Sequence, residues 1–156
     1  RNMYKQTFSE AVQRMERSLY RVAMSYTGNV PDAADAVQEA MLRAWNRRDT
    51  LRDERYMQTW LIRILLNVCN GIHRKRRRAE RAALPPPQAA PAGGADALRE
   101  ALMALPLLPV VLYYMEGMTQ QECARALGWP ASLVKSRLRA ARAALRKLLE
   151  EEEEAE

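Results

Sequence analysis

Apolar residues recur through the first half of the chain at spacings of three and four. Phe8, Val12, Met15, Leu19, Val22 and Tyr26 form a first stripe, which Gly28-Asn29 ends, as expected for one face of a helix stopped by turn formers. Pro31-Asp32 opens a second helix, with Val37, Ala40, Met41, Ala44 and Trp45 on one side and Asp35, Gln38, Glu39 and Arg43 on the other. A polar loop around Asp49 to Glu54 leads into TWLIRILLNVCNGIHRKRRR, Thr59 to Arg78. Drawn as a helix, this stretch puts Trp60, Leu61, Ile64, Leu65, Val68, Cys69 and Ile72 on one stripe. Arg63, Asn67, Asn70, Arg74 and Arg77 recur opposite it. Three or four apolar faces to bury together predict a small bundle, with Trp45 and Trp60 packed in its core.

The pattern fades from Ala79. AERAALPPPQAAPAGGADA has little periodicity and cannot carry a helix across Pro85, Pro86 and Pro87, so it reads as a linker, centred on residues 81–96. Periodicity resumes with Leu98, Ala101, Leu102 and Leu105. Further on, Thr119 and Glu122 have the spacing of a capping box, in which each side chain satisfies a free backbone donor of the other residue. A short helix through Cys123, Ala124 and Leu127 should therefore begin there and end at Gly128, whose tolerance of positive φ suits a helix end. Trp129-Pro130 makes the turn, and Val134, Leu138 and Ala141 supply the apolar face of a longer helix. Two short-linked helices with small residues at Ala124 and Gly128 have helix-turn-helix spacing. The second helix of that motif lies in the DNA major groove with its N-terminal residues on the base edges. Ser132, Lys135, Ser136, Arg137 and Arg139 occupy those positions here, with Arg142 beyond. Long donors of this kind reach guanine edges or phosphates; an ordinary antiparallel helix pair with a solvated basic face would give the same spacing. Strand signals are weak throughout, and the chain reads as all-α, two small helical domains over residues 1–80 and 97–150, joined by a flexible linker.

Charge sharpens this picture. The chain of 156 residues carries a formal +6, but Glu150 to Glu154 and Glu156 place six acids at one tip. Setting those aside leaves 25 basic residues against 13 acidic ones, +12 for residues 1–149, which favours a polyanionic partner. The oily run from Trp60 to Ile72 is thirteen residues long and interrupted by Arg63, Asn67 and Asn70, whereas a membrane span needs about 20 apolar residues. Membrane insertion is therefore not expected. Cys69 and Cys123 lie in apolar-periodic segments, where a free thiol behaves as a small buried hydrophobe. One histidine and no CxxC or HxxxH spacing predict no metal site. With no signal peptide in view, a reducing cytoplasm is the expected compartment. Nothing has the form of a nucleophile-base pair or a phosphate-cradling glycine loop, so neither cofactor nor catalysis is expected.

Both halves together resemble the extracytoplasmic-function (group IV) bacterial sigma factors. DAADAVQEAMLRAW (Asp32 to Trp45) and TWLIRILLN (Thr59 to Asn67), followed by a basic run, resemble sigma region two. YMEGMTQQECARALGWPASLVKSRLRAARAALRKL (Tyr114 to Leu148) resembles region four. The resemblance implies a non-enzymatic subunit that gives core RNA polymerase its promoter specificity, a monomer when free. It implies that Asp35, Gln38, Glu39 and Arg43 dock on the clamp helices of the polymerase's largest subunit. It places Asn67 at a pocket for a base flipped out of the minus-ten element, with Arg63, Asn70, Arg74, Lys75, Arg76, Arg77 and Arg78 on the adjoining DNA. Ser132, Lys135, Ser136, Arg137, Arg139 and Arg142 fall to the minus-35 element. The linker would thread near the active-site and RNA-exit channels, and an anti-sigma factor is an expected partner.

The sequence departs from the family's pattern in places. LPLLPVVLYYMEG, Leu105 to Gly117, is about one turn short and contains Pro109, which leaves a truncated helix or residues missing from the sequence as numbered. Leu133 stands where Thr is common and Ala140 where a basic residue can occur, and the terminal Glu run is outside the pattern. Two other readings compete: a stand-alone helix-turn-helix regulator with an N-terminal dimerisation bundle, and a basic amphipathic protein of membrane surfaces. The second explains neither the capping box nor the spacing around Gly128.

Overall fold

The computed structural model describes residues 2–83 and 107–155, with side chains from Thr7 onward. Every regular element among them is helical. The first half comprises α1 (Asn2–Arg14), α2 (Glu16–Thr27), α3 (Val30–Asn46) and α4 (Met57–Ala83), with 3₁₀ turns at Arg48–Thr50 and Glu54–Tyr56 in the α3–α4 loop. The second half comprises α5 (Leu108–Val110), which continues as a π-helical turn over Val111–Met115, then α6 (Gln120–Leu127) and α7 (Ala131–Ala155). The expected linker core and the stripe Leu98, Ala101, Leu102 and Leu105 lie outside the described residues.

Local signals place most element ends. Gly28 takes φ 70° and donates its N–H to the carbonyl of Met24, closing α2. Asn29 caps α3, its Oδ1 accepting from Asp32 N–H at 2.9 Å, with Pro31 in the first turn. Thr119 and Glu122 form the complete capping box, and Gly128 at φ 68° ends α6. The first stripe, though, is split. At Met15 the ladder tightens to a three-residue bond, Met15 N–H to Val12 O at 3.0 Å, and then resumes from Leu19 to Met15. No Pro or Gly marks this break, because it is one tightened hydrogen bond rather than a turn.

Two further boundaries differ from the sequence reading. Ala79–Ala83, read as the start of the linker, are the last residues of α4, since Ala, Glu and Arg are strong helix formers and the first Pro comes only at position 85. The acidic tail is helical through Ala155 for the same reason, a solvated extension of α7. The segment around Pro109 forms a short helix, α5, running on into the π turn. Hydrogen bonds run from Val111 N–H to Leu107 O (2.9 Å), Glu116 N–H to Val111 O (3.0 Å) and Met118 N–H to Leu112 O (3.1 Å). The ladder is unbroken, and Gly117 at φ 67° turns the chain out of the π turn.

The two halves are not separate bodies. α4 packs against α2 and α3 on one side and against α6 on another, while α5 and the π turn touch α2. Buried side chains of both halves form one continuous cluster, from Phe8 and Leu19 through Leu61, Leu65 and Cys69 to Leu112, Cys123 and Leu138. Ile62 and Leu66, outside the predicted apolar stripe, are buried as well, because α6 covers that flank. Each such aliphatic side chain contributes roughly 1.5–3 kcal/mol when fully buried. Trp60 packs edge-on against Phe8 at 6.0 Å as expected, but Trp45 lies at the rim, 37% exposed, with the Arg48 guanidinium 4.3 Å over its ring. Its ring still meets the buried Phe8 ring at 6.2 Å, so one side of Trp45 packs on the core and the other meets Arg48.

Burial pushes the Cys69 thiol up to about 12 and the Cys123 thiol up to about 11, in the second case helped by the Glu122 carboxylate. A thiol with a raised pKa favours the fold fully below its unfolded value of about 8.5 and loses that contribution as pH climbs through the folded value. At about pH 8 neither cysteine of the native protein should react with an aromatic disulfide reagent, and both should react after unfolding in urea. Absorbance of the released thiolate reads this directly; rapid modification of native Cys69 would mean that the α4 core is open.

Candidate nucleic-acid interface

With α4 buried over two flanks, only a narrow strip faces solvent. Arg63, Asn67, Gly71, Arg74 and Arg78 lie along it, all exposed. Asn70 borders the strip half-buried, its Oδ1 accepting from Tyr26 Oη at 3.3 Å. Tyr26 also meets the His73 ring edge-on at 6.4 Å. Burial raises the Tyr26 pKa, further helped by Cys69 and opposed by Arg74 and Arg77. Burial, then Arg77, holds His73 below its ordinary value, so the imidazole is neutral at pH 7 and the strip's charge is carried by arginine.

Helical geometry divides the basic run. Arg74, Arg77 and Arg78 continue the Asn67 strip, with Arg77 half-buried at its edge. Arg76 points to the far side, where it pairs with Asp32 at 2.6 Å in the first turn of α3. Lys75 lines a groove between α3 and α4 of about 490 Å³, together with Asp35, Gln38, Glu39 and Arg43. Five consecutive basic residues thus serve three surfaces, as 100° per residue requires.

The candidate partner face on α3 is intact and exposed. Asp35 and Gln38 form a ridge between that groove and a second one of about 970 Å³ between α2 and α3, walled by Tyr20, Arg21, Met24 and Met41. Glu39 and Arg43, one turn apart, pair at 2.9 Å, an exposed pair of the kind that contributes about 0.3–0.5 kcal/mol. Both remain accessible to a partner.

On α7 the structure brings Ser132, Lys135, Ser136 and Arg139 onto one exposed face, opposite the buried Val134 and Leu138. Arg137 is not part of it. It is half-buried and turned roughly 100° beyond the edge of that face. Arg142 lies at the other edge, donating from Nη1 to Tyr114 Oη at 3.0 Å.

One exposed cluster was not singled out from the sequence. The α3–α4 loop carries Arg47, Arg48, Arg52 and Arg55 beside Trp45 and Tyr56, the latter 54% exposed. Arg48 stacks on Trp45, while Asp53 holds Arg55 at 2.7 Å, which keeps the Asp53 carboxyl below its usual range. Cations interleaved with aromatics suit single-stranded nucleic acid; the alternation of Arg with Trp and Tyr was the available signal. Among the described residues no group of three His, Cys, Asp or Glu side chains could hold a metal, and no helix is long and apolar enough to cross a membrane.

The chain compares directly with known proteins. The family model for Sigma-70 region 2 matches residues 11–79, and that for Sigma-70, region 4 matches residues 95–145. The ECF RNA polymerase sigma factor SigM of Mycobacterium tuberculosis is 34% identical over 152 residues, covering 91% of this chain and 76% of the relative. The RNA polymerase sigma-E factor of Streptomyces avermitilis is 30% identical over 152 residues, covering 92% and 85%. Among solved structures, the sigma factor RpoE in complex with the anti-sigma factor NepR from Bartonella quintana superposes with a TM-score of 0.74 at 24% identity, over 93% of this chain and 98% of that one. CnrH in complex with the cytosolic domain of CnrY gives 0.62 at 28%, over 93% and 88%. With the region 2 match followed by the region 4 match, and 34% identity to SigM over 91% of this chain and 76% of that relative, the chain belongs to the ECF RNA polymerase sigma factors.

Proposed function

We propose that this chain is a dissociable sigma subunit that directs core RNA polymerase to a set of promoters, with α4 reading the minus-ten element and α7 the minus-35 element. The observation that carries the reading is the pair of exposed polar-basic faces, Arg63 to Arg78 on α4 and Ser132 to Arg139 on α7, in one chain with family matches over both. A stand-alone helix-turn-helix regulator leaves the region 2 match over residues 11–79 without an account.

The Asp35–Gln38 ridge, with Glu39 and Arg43, docks on the polymerase clamp, where its two flanking grooves offer apolar walls to a helix pair. Asn67 takes the flipped minus-ten base. A carboxamide has both donor and acceptor for a base edge, and unstacking costs a few kcal/mol that such contacts offset. Arg74, Arg77 and Arg78 hold the phosphates beside it, a sequence-blind role. Asn70, tied to Tyr26, supports the strip and does not read it; Lys75 and Arg76 likewise belong to other surfaces. Ser132, Lys135, Ser136 and Arg139 enter the major groove, with Arg142 at the edge on phosphate and Arg137 outside the contact. The solved complexes of RpoE with NepR and of CnrH with CnrY support an anti-sigma partner here. The subunit has no catalysis of its own, is monomeric when free and works in the cytoplasm beside the polymerase.

Run-off transcription with purified core polymerase on a matched promoter should depend on the chain; no stimulation on any cognate promoter overturns the reading. In that assay Asn67→Ala should impair promoter opening by roughly tenfold, the loss of about 1.5 kcal/mol of hydrogen bonding, with core binding unchanged. Equal loss of core binding would make Asn67 structural. Lys135→Ala should weaken minus-35 recognition by about 1–3 kcal/mol and relax it at one base pair, whereas Arg78→Ala should weaken binding uniformly and lower the salt slope by about 1. A uniform loss from Lys135→Ala would move that residue to the phosphates.

A further inference from the structure

Glu116 is the one buried charged residue among the described residues. It closes the π turn of the second half, yet its carboxylate is satisfied by the first half. Ser18 Oγ donates to Oε2, and Arg21 Nη1 donates to Oε1 at 2.8 Å, both from α2. Its carbonyl accepts from Gln58 Nε2 at 2.8 Å, at the start of α4. The next residue, Thr59, donates from Oγ1 to Glu122 Oε2 at 3.4 Å. The side chain of Glu116 is 2% exposed and that of Arg21 42%, so the carboxylate is sealed while the cation reaches solvent. These bonds accompany the packing of α6 on α4 and of the π turn on α2.

From this geometry we propose that Glu116 is a latch that holds the two halves closed and thereby inhibits the free protein. This rests on the proposed reading of two promoter elements. α7 packs on α6 and α6 on α4, so the two DNA faces stand only two or three interhelical spacings apart, roughly 20–30 Å. Elements centred near minus-ten and minus-35 are separated by about 25 base pairs, ~85 Å of B-form duplex. The closed chain cannot span them, and the halves must part for both to be read. The buried carboxylate resists parting only while Ser18 and Arg21 stay on it. Arg21 also walls the α2–α3 groove, beside Asp35 and Gln38.

The full chain tests this with donor and acceptor dyes on Glu10→Cys and Ala143→Cys, exposed positions in the two halves; buried Cys69 and Cys123 stay unlabelled. The wild type should give one high-transfer population, and core polymerase should lower the transfer. Glu116→Gln should raise the low-transfer fraction above that of the wild type with helicity unchanged, and should lower the concentration for half-maximal run-off transcription by the same factor as the binding-competent fraction rises. Ser18→Ala, a milder change, should do the same in part. Unchanged transfer in both variants, or low transfer in the wild type, overturns the latch. Parted halves with unchanged half-saturation overturn the inhibition. Absence of any transcription with the wild type overturns the functional reading and the inhibition with it, while the transfer shift still decides the latch.

Discussion

Burial of α4 on two flanks governs the rest of this molecule. One flank is the hydrophobic face that α2 and α3 cover, with Leu61 and Leu65 fully buried. The other is closed by α6, which buries Ile62 and Leu66 and adds the polar bonds of Gln58 and Thr59. A helix so enclosed has one narrow line of solvent-facing positions, and the side chains on that line are Arg63, Asn67, Arg74 and Arg78.

The same enclosure distributes charge. A run of basic residues at the end of α4 looks like a single patch in the sequence, but successive positions rotate by about 100°. Arg76 neutralises Asp32 in the first turn of α3, where an acidic side chain is already favoured by the helix dipole. Lys75 joins the acidic groove beside Asp35 and Glu39. The remaining arginines keep their charge for solvent-facing partners, and His73, neutral at pH 7, contributes none.

Contacts between the halves combine a large apolar area with one buried carboxylate. Apolar burial is not directional and would tolerate sliding. A carboxylate that must keep its partners is directional, and a buried one left without them is costly. Glu116 therefore fixes the register of α5, the π turn and α6 against α2. The widened turn that ends at Gly117 delivers Glu116 to that position.

Much of this was legible in the sequence because its causes are local. The spacing of Leu61, Leu65 and Cys69, the Thr119–Glu122 capping box and the glycines at 28 and 128 act within one or two helical turns, so helices, their ends and the helix-turn-helix could be read directly. The faces holding Asn67 and Lys135 followed from the same periodicity. What the chain alone did not show depends on a neighbour distant in sequence. Ile62 and Leu66 look like a solvated flank until α6, some sixty residues later, covers them. Arg76 reads as part of one basic run until Asp32 pairs with it, and the stripe that holds Trp45 does not show that one side of its ring meets the Arg48 guanidinium. Glu116 reads as an ordinary polar residue before a glycine, and only the approach of α2 makes it a buried ionic contact between the halves. Periodicity says which side of a helix avoids water, but how many sides must is set by the number of helices that arrive to cover it.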